Sequence, residues 1–108
     1  MHIRCAYFEG EVAPEMRARF DRFMDAEIMP RLTSMPKVRA VRLLRGEAFQ
    51  DGAPGIYQTI EQEYDSIADI EAALASEVRR EMRDKLTEIM PLFKGRIWHI
   101  NHRLERFL

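Results

Sequence analysis

Residues 38–64 read VRAVRLLRGEAFQDGAPGIYQTIEQEY, and this stretch decides the fold. It contains two segments rich in alternating apolar residues, Val38–Ala48 and Ile56–Tyr64, and this period of two indicates β-strands. Between them, residues 50–55 are dense in the glycine, proline and aspartate that form turns. Two strands joined by a short loop of this composition predict a β-hairpin in the middle of the chain.

A helical region is predicted on each side of this hairpin. The first begins near Pro14, because proline suits the first turn of a helix, and Pro30 should kink or end it. The second has two successive segments, for which the predicted N-caps are Asp65 or Ser66 in the first and Ser76 in the second. The apolar stripes at helical spacing are Met16, Phe20, Phe23, Met24, Ile28 and Leu32 in the first region, and Val78, Met82, Leu86, Ile89, Met90 and Phe93 in the second.

The two ends of the chain supply the remaining strands. His2–Glu9 alternates in hydrophobicity and is expected to stop at Gly10, and a last strand is expected from about Arg96 to Phe107. The resulting order is β-α-β-β-α-β. It predicts one α+β domain over residues 1–108, with ferredoxin-like topology: a four-stranded antiparallel sheet whose helices all pack on one face.

Several of the predicted strands carry apolar side chains on both faces. The helices can cover only one of these faces, and an exposed apolar sheet face is an interaction surface. A second copy of the chain, packed sheet against sheet about a twofold axis, would cover it most economically. The sequence therefore predicts a homodimer whose two sheets form a shared barrel.

The composition argues against several classes of partner. The chain has 17 basic and 18 acidic residues, so it lacks the basic excess on which nucleic-acid binding by bulk charge depends. No apolar run approaches the ~20 residues that a membrane helix needs. Cys5 is the only cysteine and cannot form an intrachain disulfide. With no secretory signal pattern at the start of the sequence, we expect a cytoplasmic protein that binds neither nucleic acid nor membrane.

Several passages resemble the EthD-like family of the dimeric α+β barrel superfamily. They are Phe20-Asp21-Arg22-Phe23, Glu27-Ile28-Met29-Pro30 and Met35-Pro36-Lys37-Val38, together with a similar layout at Phe93-Lys94-Gly95-Arg96-Ile97-Trp98. Where the family tends to have a histidine, this chain has Ile28. The resemblance implies the ferredoxin-like fold, a dimer and a cavity between sheet and helices. The superfamily includes cofactor-free monooxygenases, lactone isomerases, polyketide cyclases and haem degraders, and a shared fold does not choose among them.

Polar residues on otherwise apolar strand faces form the candidate site. If the helices cover the face that carries Tyr7, then Arg42, Gln58 and His102 point into the same space, with Trp98 beside them. We predict His102 and Tyr7 as catalytic, since imidazole titrates near neutral pH and a phenol can donate to an oxyanion. Arg42, Gln58 and Trp98 are predicted to bind the ligand. In the alternative, Arg42 and His102 reach solvent at strand ends, and Tyr7 and Trp98 belong to the core.

Two other groups of residues have simpler explanations. His99 and His102 suggest a metal site, but residues three apart in a strand project from opposite faces, so we predict no metal site. Arg79, Arg80 and Arg83 alternate with acidic residues along the second helical region, and this pattern is typical of a solvated helix face.

Two functions remain open. The first is a small homodimeric protein of EthD-like type that binds or transforms a hydrophobic aromatic or lactone-like metabolite without a tightly bound cofactor. It predicts an internal cavity of a few hundred Å³ that touches at least three of the five candidate residues. The second is a non-catalytic dimerisation or stress-associated domain, which predicts no cavity.

Overall fold

In the computed structural model, which describes residues 1–108, the four strands form one antiparallel sheet in the order β2-β3-β1-β4. The strands are β1 (His2–Val12), β2 (Ala40–Arg45), β3 (Ile56–Tyr64) and β4 (Phe93–Arg103). The first and third strands lie side by side in the centre, as the βαββαβ chain order requires. The predicted ferredoxin-like fold is confirmed.

The helices lie in two regions, one before β2 and one after β3. They are α1 (Arg17–Phe23), α2 (Met29–Thr33), α3 (Ile67–Leu74) and α4 (Glu77–Leu86). A π-helical turn, Met24–Ile28, joins α1 to α2, so helical backbone continues past Pro30. Proline lacks an N–H and crowds the carbonyl four residues before it, and a widened turn accommodates both defects. None of these helices is long and apolar enough to cross a bilayer.

The N-caps of the second helical region are Ser66, one of the two predicted candidates for α3, and Ser76, the predicted cap of α4. The Ser66 hydroxyl accepts a hydrogen bond of 3.1 Å from the backbone N–H of Asp69 at the start of α3. The Ser76 hydroxyl accepts one of 3.3 Å from the backbone N–H of Arg79 at the start of α4. Each cap pairs a donor that the first helical turn would otherwise leave unsatisfied, so the chain folds into two helices here rather than one.

The structure corrects the predicted end of β1, because this strand continues through Gly10 to Val12. Gly10 lies directly opposite Gly95 in β4, with φ angles of 152° and 154°. A Cβ atom on either glycine would collide with the backbone of the other strand. The paired glycines therefore allow close approach of the two strands. With this pairing β4 starts at Phe93, earlier than predicted. Two other predicted bounds are also corrected: β4 ends at Arg103, and β2 is shorter than the predicted Val38–Ala48.

The core lies between the helices and one face of the sheet. Phe8, Phe20 and Tyr64 are among its fully buried side chains. Residues directly opposite each other in antiparallel strands share a face, so the register identifies the members of this helix-covered face. They include Arg4, Ala6, Phe8, Val41, Leu43, Arg45, Gln58, Ile60, Gln62, Tyr64, Ile97, His99 and Asn101.

The predicted assignment of the covered face is wrong for β1, β2 and β4. Tyr7 lies opposite Thr59 on one side and Trp98 on the other, on the face away from the helices. We call this side the open face. It carries Ile3, Cys5, Tyr7, Glu9, Ala40, Arg42, Leu44, Thr59, Glu61, Glu63, Arg96, Trp98, Ile100 and His102. The prediction failed because both faces of these strands are apolar, so hydrophobicity alone does not distinguish them.

Candidate functional site

A cavity of about 310 Å³ lies between the sheet and the helices. Eleven of its sixteen lining residues are hydrophobic, so its interior suits an apolar molecule. Its buried wall includes Phe8 and Ile60 from the sheet and Ile28, Leu32 and Ala73 from the helical regions. The cavity that the EthD-like resemblance implies is therefore present, and the prediction of an interior without a cavity is wrong.

The polar residues of this cavity are all cationic or neutral. They are Arg4 of β1, Gln62 of β3, His99 of β4, and Arg79 and Arg83 on successive turns of α4. Arg83 and His99 are exposed, and the other three are half-buried, so this group connects the apolar interior to solvent. No aspartate or glutamate lines the cavity. We call Arg4, Arg79 and Arg83 the arginine cluster.

The arginine cluster has no acidic partner in the chain, since none of its members forms a salt bridge. Arg4 donates to the Asn101 side-chain oxygen at 3.1 Å, and Arg79 donates to the Leu74 carbonyl at 3.4 Å. Both groups are partly desolvated, which lowers their pKa. The repulsion of Arg79 lowers the pKa of Arg4 further, and that of Arg83 lowers the pKa of Arg79 further.

His99 lies in the same electrostatic environment. Desolvation of its imidazole and, next, the positive charges of Arg4, Arg79 and Arg83 lower its pKa from 6.5 to about 4. The ring is therefore neutral near pH 7 and presents one N–H donor and one nitrogen acceptor at the cavity. A neutral imidazole at this position can orient a polar group of a ligand through its N–H or its unprotonated nitrogen.

None of the five residues predicted for the site lines this cavity. Gln58 is on the helix-covered face, but it is fully buried outside the cavity, and neither atom of its amide has a hydrogen-bond partner. Tyr7, Arg42, Trp98 and His102 lie on the open face. The five predicted residues therefore do not gather around this cavity.

Three of these residues nevertheless meet on the open face. The Tyr7 hydroxyl and the His102 Nε2 atom are joined by a hydrogen bond of 2.8 Å. The Tyr7 ring stacks on Trp98, with 4.3 Å between ring centroids. Burial and then the neighbouring Cys5 raise the pKa of Tyr7 to about 12, so its phenol is protonated and available as a donor near neutral pH.

Arg42 lies apart from that group and is already neutralised. Its guanidinium forms ion pairs of 2.8 Å with Glu61 and 2.7 Å with Glu63, the residues beside it on β3. Because two carboxylates already occupy its donors, Arg42 is a poor anion-binding group in this arrangement. The two histidines of β4 point to opposite faces, since His99 lies opposite Ala6 and His102 lies opposite Ile3. Their positions on opposite faces of the sheet agree with the alternation expected of a strand.

The arginine cluster was not among the predicted site residues, because the mixed charges around Arg79 and Arg83 are typical of a solvated helix face. Of the three helix arginines, only Arg80 lies outside the cavity, and it pairs with Glu77. A usable signal was present: Arg79 and Arg83 are four residues apart and flank Met82 on the apolar side of α4. Like charges at that spacing, next to an apolar stripe, indicate a basic edge on a buried surface.

Comparisons with known proteins address the fold. No family model matches the chain. No curated protein matches it by sequence. Among solved structures, an EthD family protein from Bacillus halodurans is 16% identical, with a TM-score of 0.73 over 97% of this chain and 100% of its own.

Two further solved structures agree with it. A dimeric protein of unknown function and ferredoxin-like fold from Bacteroides fragilis has a TM-score of 0.66 at 12% identity, over 95% of both chains. A putative antibiotic biosynthesis monooxygenase from Nitrosomonas europaea has a TM-score of 0.60 at 12% identity, over 95% of this chain and 97% of its own. At these identities the likeness concerns the backbone alone. The chain therefore has the ferredoxin-like fold that EthD-like proteins and dimeric ferredoxin-like proteins share.

Proposed function

We propose that this protein binds a small hydrophobic metabolite, of aromatic or lactone-like type, in the cavity between its sheet and its helices. The observation that carries the proposal is the cavity itself, of about 310 Å³ and lined mainly by hydrophobic side chains. Small-molecule sites are typically clefts of ~300–1,000 Å³ with an apolar lining and a few convergent polar groups. The cavity has this size and this distribution of residues.

The proposed working unit is a homodimer that pairs the open faces of two copies. Apolar side chains run along β1 and β4 on that face, and Ile100 remains 41% exposed. The Tyr7–Trp98 stack and the Tyr7–His102 hydrogen bond lie beside it. A second copy would remove this surface from water. Solved structures of the same fold that are described as dimeric, from Bacteroides fragilis and Thermobifida fusca, support this arrangement.

The binding proposal is tested with prodan, a neutral fluorophore whose emission shifts to the blue in apolar surroundings. We expect the wild-type protein to bind it, and we expect Ala6→Leu, which extends a side chain into the cavity, to weaken binding at least tenfold. Leu86→Trp should have the same effect from the helix side. The matched control is Ala68→Leu on the exposed side of α3, which should bind like the wild type.

Circular dichroism melts of each variant establish that it is folded before the dye is added. A wild-type protein that leaves the emission of prodan unchanged would contradict the proposal. So would undiminished binding by both folded cavity variants, because the dye would then sit elsewhere on the molecule.

A further inference from the structure

We propose that the ligand of this cavity is an anion: an apolar body carrying a carboxylate or another oxyanion, which Arg79, Arg83 and Arg4 bind at the exposed end of the cavity. This inference rests on the proposed function, since it names the class of molecule that the same cavity accepts. It follows from the distribution of charge around the cavity rather than from its volume.

The first argument is that the cationic groups lack anions. The chain contains 18 acidic residues, and twelve salt bridges use many of them, yet none reaches the arginine cluster. By contrast, Arg39, Arg42 and Arg45 all have carboxylate partners within 2.8 Å. Guanidinium groups that are partly desolvated and unpaired are unfavourable, and an oxyanion with two or more acceptor oxygens would satisfy them.

The second argument is that the three cations repel one another. Arg79 and Arg83 are four residues apart on α4, where like charges destabilise a helix. Arg4 approaches them from the sheet, and the pKa directions of Arg4 and Arg79 record this mutual repulsion. An anion bound among them replaces repulsion by attraction on all three sides. A neutral ligand would leave the repulsion in place.

The third argument is that the neighbouring polar groups suit the same occupant. Gln62 and neutral His99 can both donate a hydrogen bond, and no carboxylate lines the cavity to repel an anion. The apolar wall then holds the body of the ligand, with the oxyanion towards solvent. This orientation keeps the charged group partly hydrated, which avoids the cost of burying it completely.

Displacement of prodan by naphthalene carboxylate and by its carboxamide tests the inference, because the two molecules have nearly the same shape and differ in charge. At pH 7 the carboxylate should displace the dye at a concentration at least tenfold lower than the carboxamide. Arg83→Gln should reduce this advantage several-fold, and the double variant Arg79→Gln/Arg83→Gln, which keeps only Arg4 of the cluster, should remove most of it. Arg80→Gln is the matched control, because Arg80 is on the same helix but outside the cavity.

The protonation of His99 supplies a second readout that does not depend on affinity. Bound anion offsets the repulsion of Arg4, Arg79 and Arg83, so saturation with naphthalene carboxylate should raise the pKa of His99 from about 4. The carboxamide should leave that pKa unchanged. The measurement is a pH titration of the imidazole resonances by NMR, with each compound bound.

The outcomes separate this inference from the function on which it rests. Equal displacement of the dye by both compounds would overturn the anion assignment and leave the hydrophobic site intact. An advantage for the carboxylate that is undiminished in the double variant would overturn the assignment to α4. If wild-type protein binds prodan and neither compound displaces it, the oxyanion assignment is wrong. If wild-type protein does not bind prodan at all, the proposed function itself fails.

Discussion

At the scale of single residues, two glutamines of β3 have opposite environments. Gln58 is fully buried, and neither its amide oxygen nor its amide nitrogen has a hydrogen-bond partner among the protein's own groups. Gln62 is four residues further along β3 and lies at the cavity. Its side-chain oxygen accepts a hydrogen bond of 2.9 Å from the Tyr64 hydroxyl. A buried amide without partners is costly, whereas a paired one stabilises the fold.

We therefore predict that Gln58→Met stabilises the protein by about 1–2 kcal/mol, since it removes an unsatisfied buried amide and keeps the length of the side chain. Gln62→Met is the matched control with the opposite sign. It should destabilise by about 1 kcal/mol, because it leaves the buried Tyr64 hydroxyl without its acceptor. Urea denaturation of the three proteins measures both changes. Lower stability in Gln58→Met would show that the amide is satisfied in solution.

Arg42 and the arginine cluster differ in whether carboxylates neutralise their charge, and the neighbours of each residue decide this. In the sequence all of these residues are arginines next to apolar positions. Arg42 faces Glu61 and Glu63 across the sheet, so its charge is neutralised. Arg79 faces the cavity and has no such partner. The chemistry available to an arginine thus depends on which residues the strand register and the helix packing bring opposite to it.

At the scale of secondary-structure elements, the β1–β4 pair depends on two glycines. Gly10 and Gly95 lie opposite each other with φ angles that other residues rarely adopt, and a Cβ atom on Gly95 would collide with the carbonyl of Glu9. This pairing extends both strands to Val12 and Phe93, and Val12 and Phe93 both belong to the core. The glycines are therefore needed for the part of the core at this end of the sheet.

We predict that Gly95→Ala destabilises the protein by at least ~2 kcal/mol, because it adds both backbone strain and a steric clash. For a chain of this size this corresponds to a fall in melting temperature of roughly 8 °C or more. Gly55→Ala is the control, since a Cβ atom there would meet open space. Its melting temperature should stay close to that of the wild type. A melting temperature of Gly95→Ala within a degree or two of the wild-type value would contradict this account of the strand pair.

The helix α4 combines two roles on adjacent faces. Met82 and Leu86 contribute to the apolar wall of the cavity, and Arg79 and Arg83 carry the charge at its exposed end. Arg80 points away from the cavity and pairs with Glu77. The Ser76 cap sets where this helix begins, and so it also sets which residues face the cavity.

At the scale of the whole molecule, the sheet has one face covered by helices and one face without a partner in the chain. The open face is mixed: apolar residues follow β1 and β4, and an ion-paired patch formed by Arg42, Glu61 and Glu63 covers the side of β2 and β3. The apolar half is the part that water solvates poorly. The proposed dimer would bury this half, while the charged half could remain near its rim.

We predict that the wild-type protein sediments as a dimer at micromolar concentration and that Ile100→Glu sediments as a monomer. The new carboxylate would be desolvated in the interface without disturbing the core, since Ile100 is 41% exposed in the single chain. Ile67→Glu is the matched control, because Ile67 is 38% exposed but lies on α3, on the opposite side of the sheet. It should remain dimeric. A monomeric wild type at this concentration would contradict the proposed association.

The sequence by itself determined the kind, order and approximate position of the elements. The alternation in residues 56–64, the caps Ser66 and Ser76, and the turn residues between the hairpin strands are local signals, and each was sufficient to predict its element. Their order then predicted the ferredoxin-like fold, because few topologies accommodate βαββαβ with short connections.

Only the tertiary structure decided which face of each strand meets the helices, and therefore which residues share the cavity. Tyr7 and Phe8 are adjacent in sequence and are both aromatic, yet Phe8 is in the core beside the cavity and Tyr7 is on the open face. A shift of one residue exchanges the two faces of a strand. When both faces are apolar, the choice depends on the packing of all four strands against the helices, and no local pattern in the sequence contains that information.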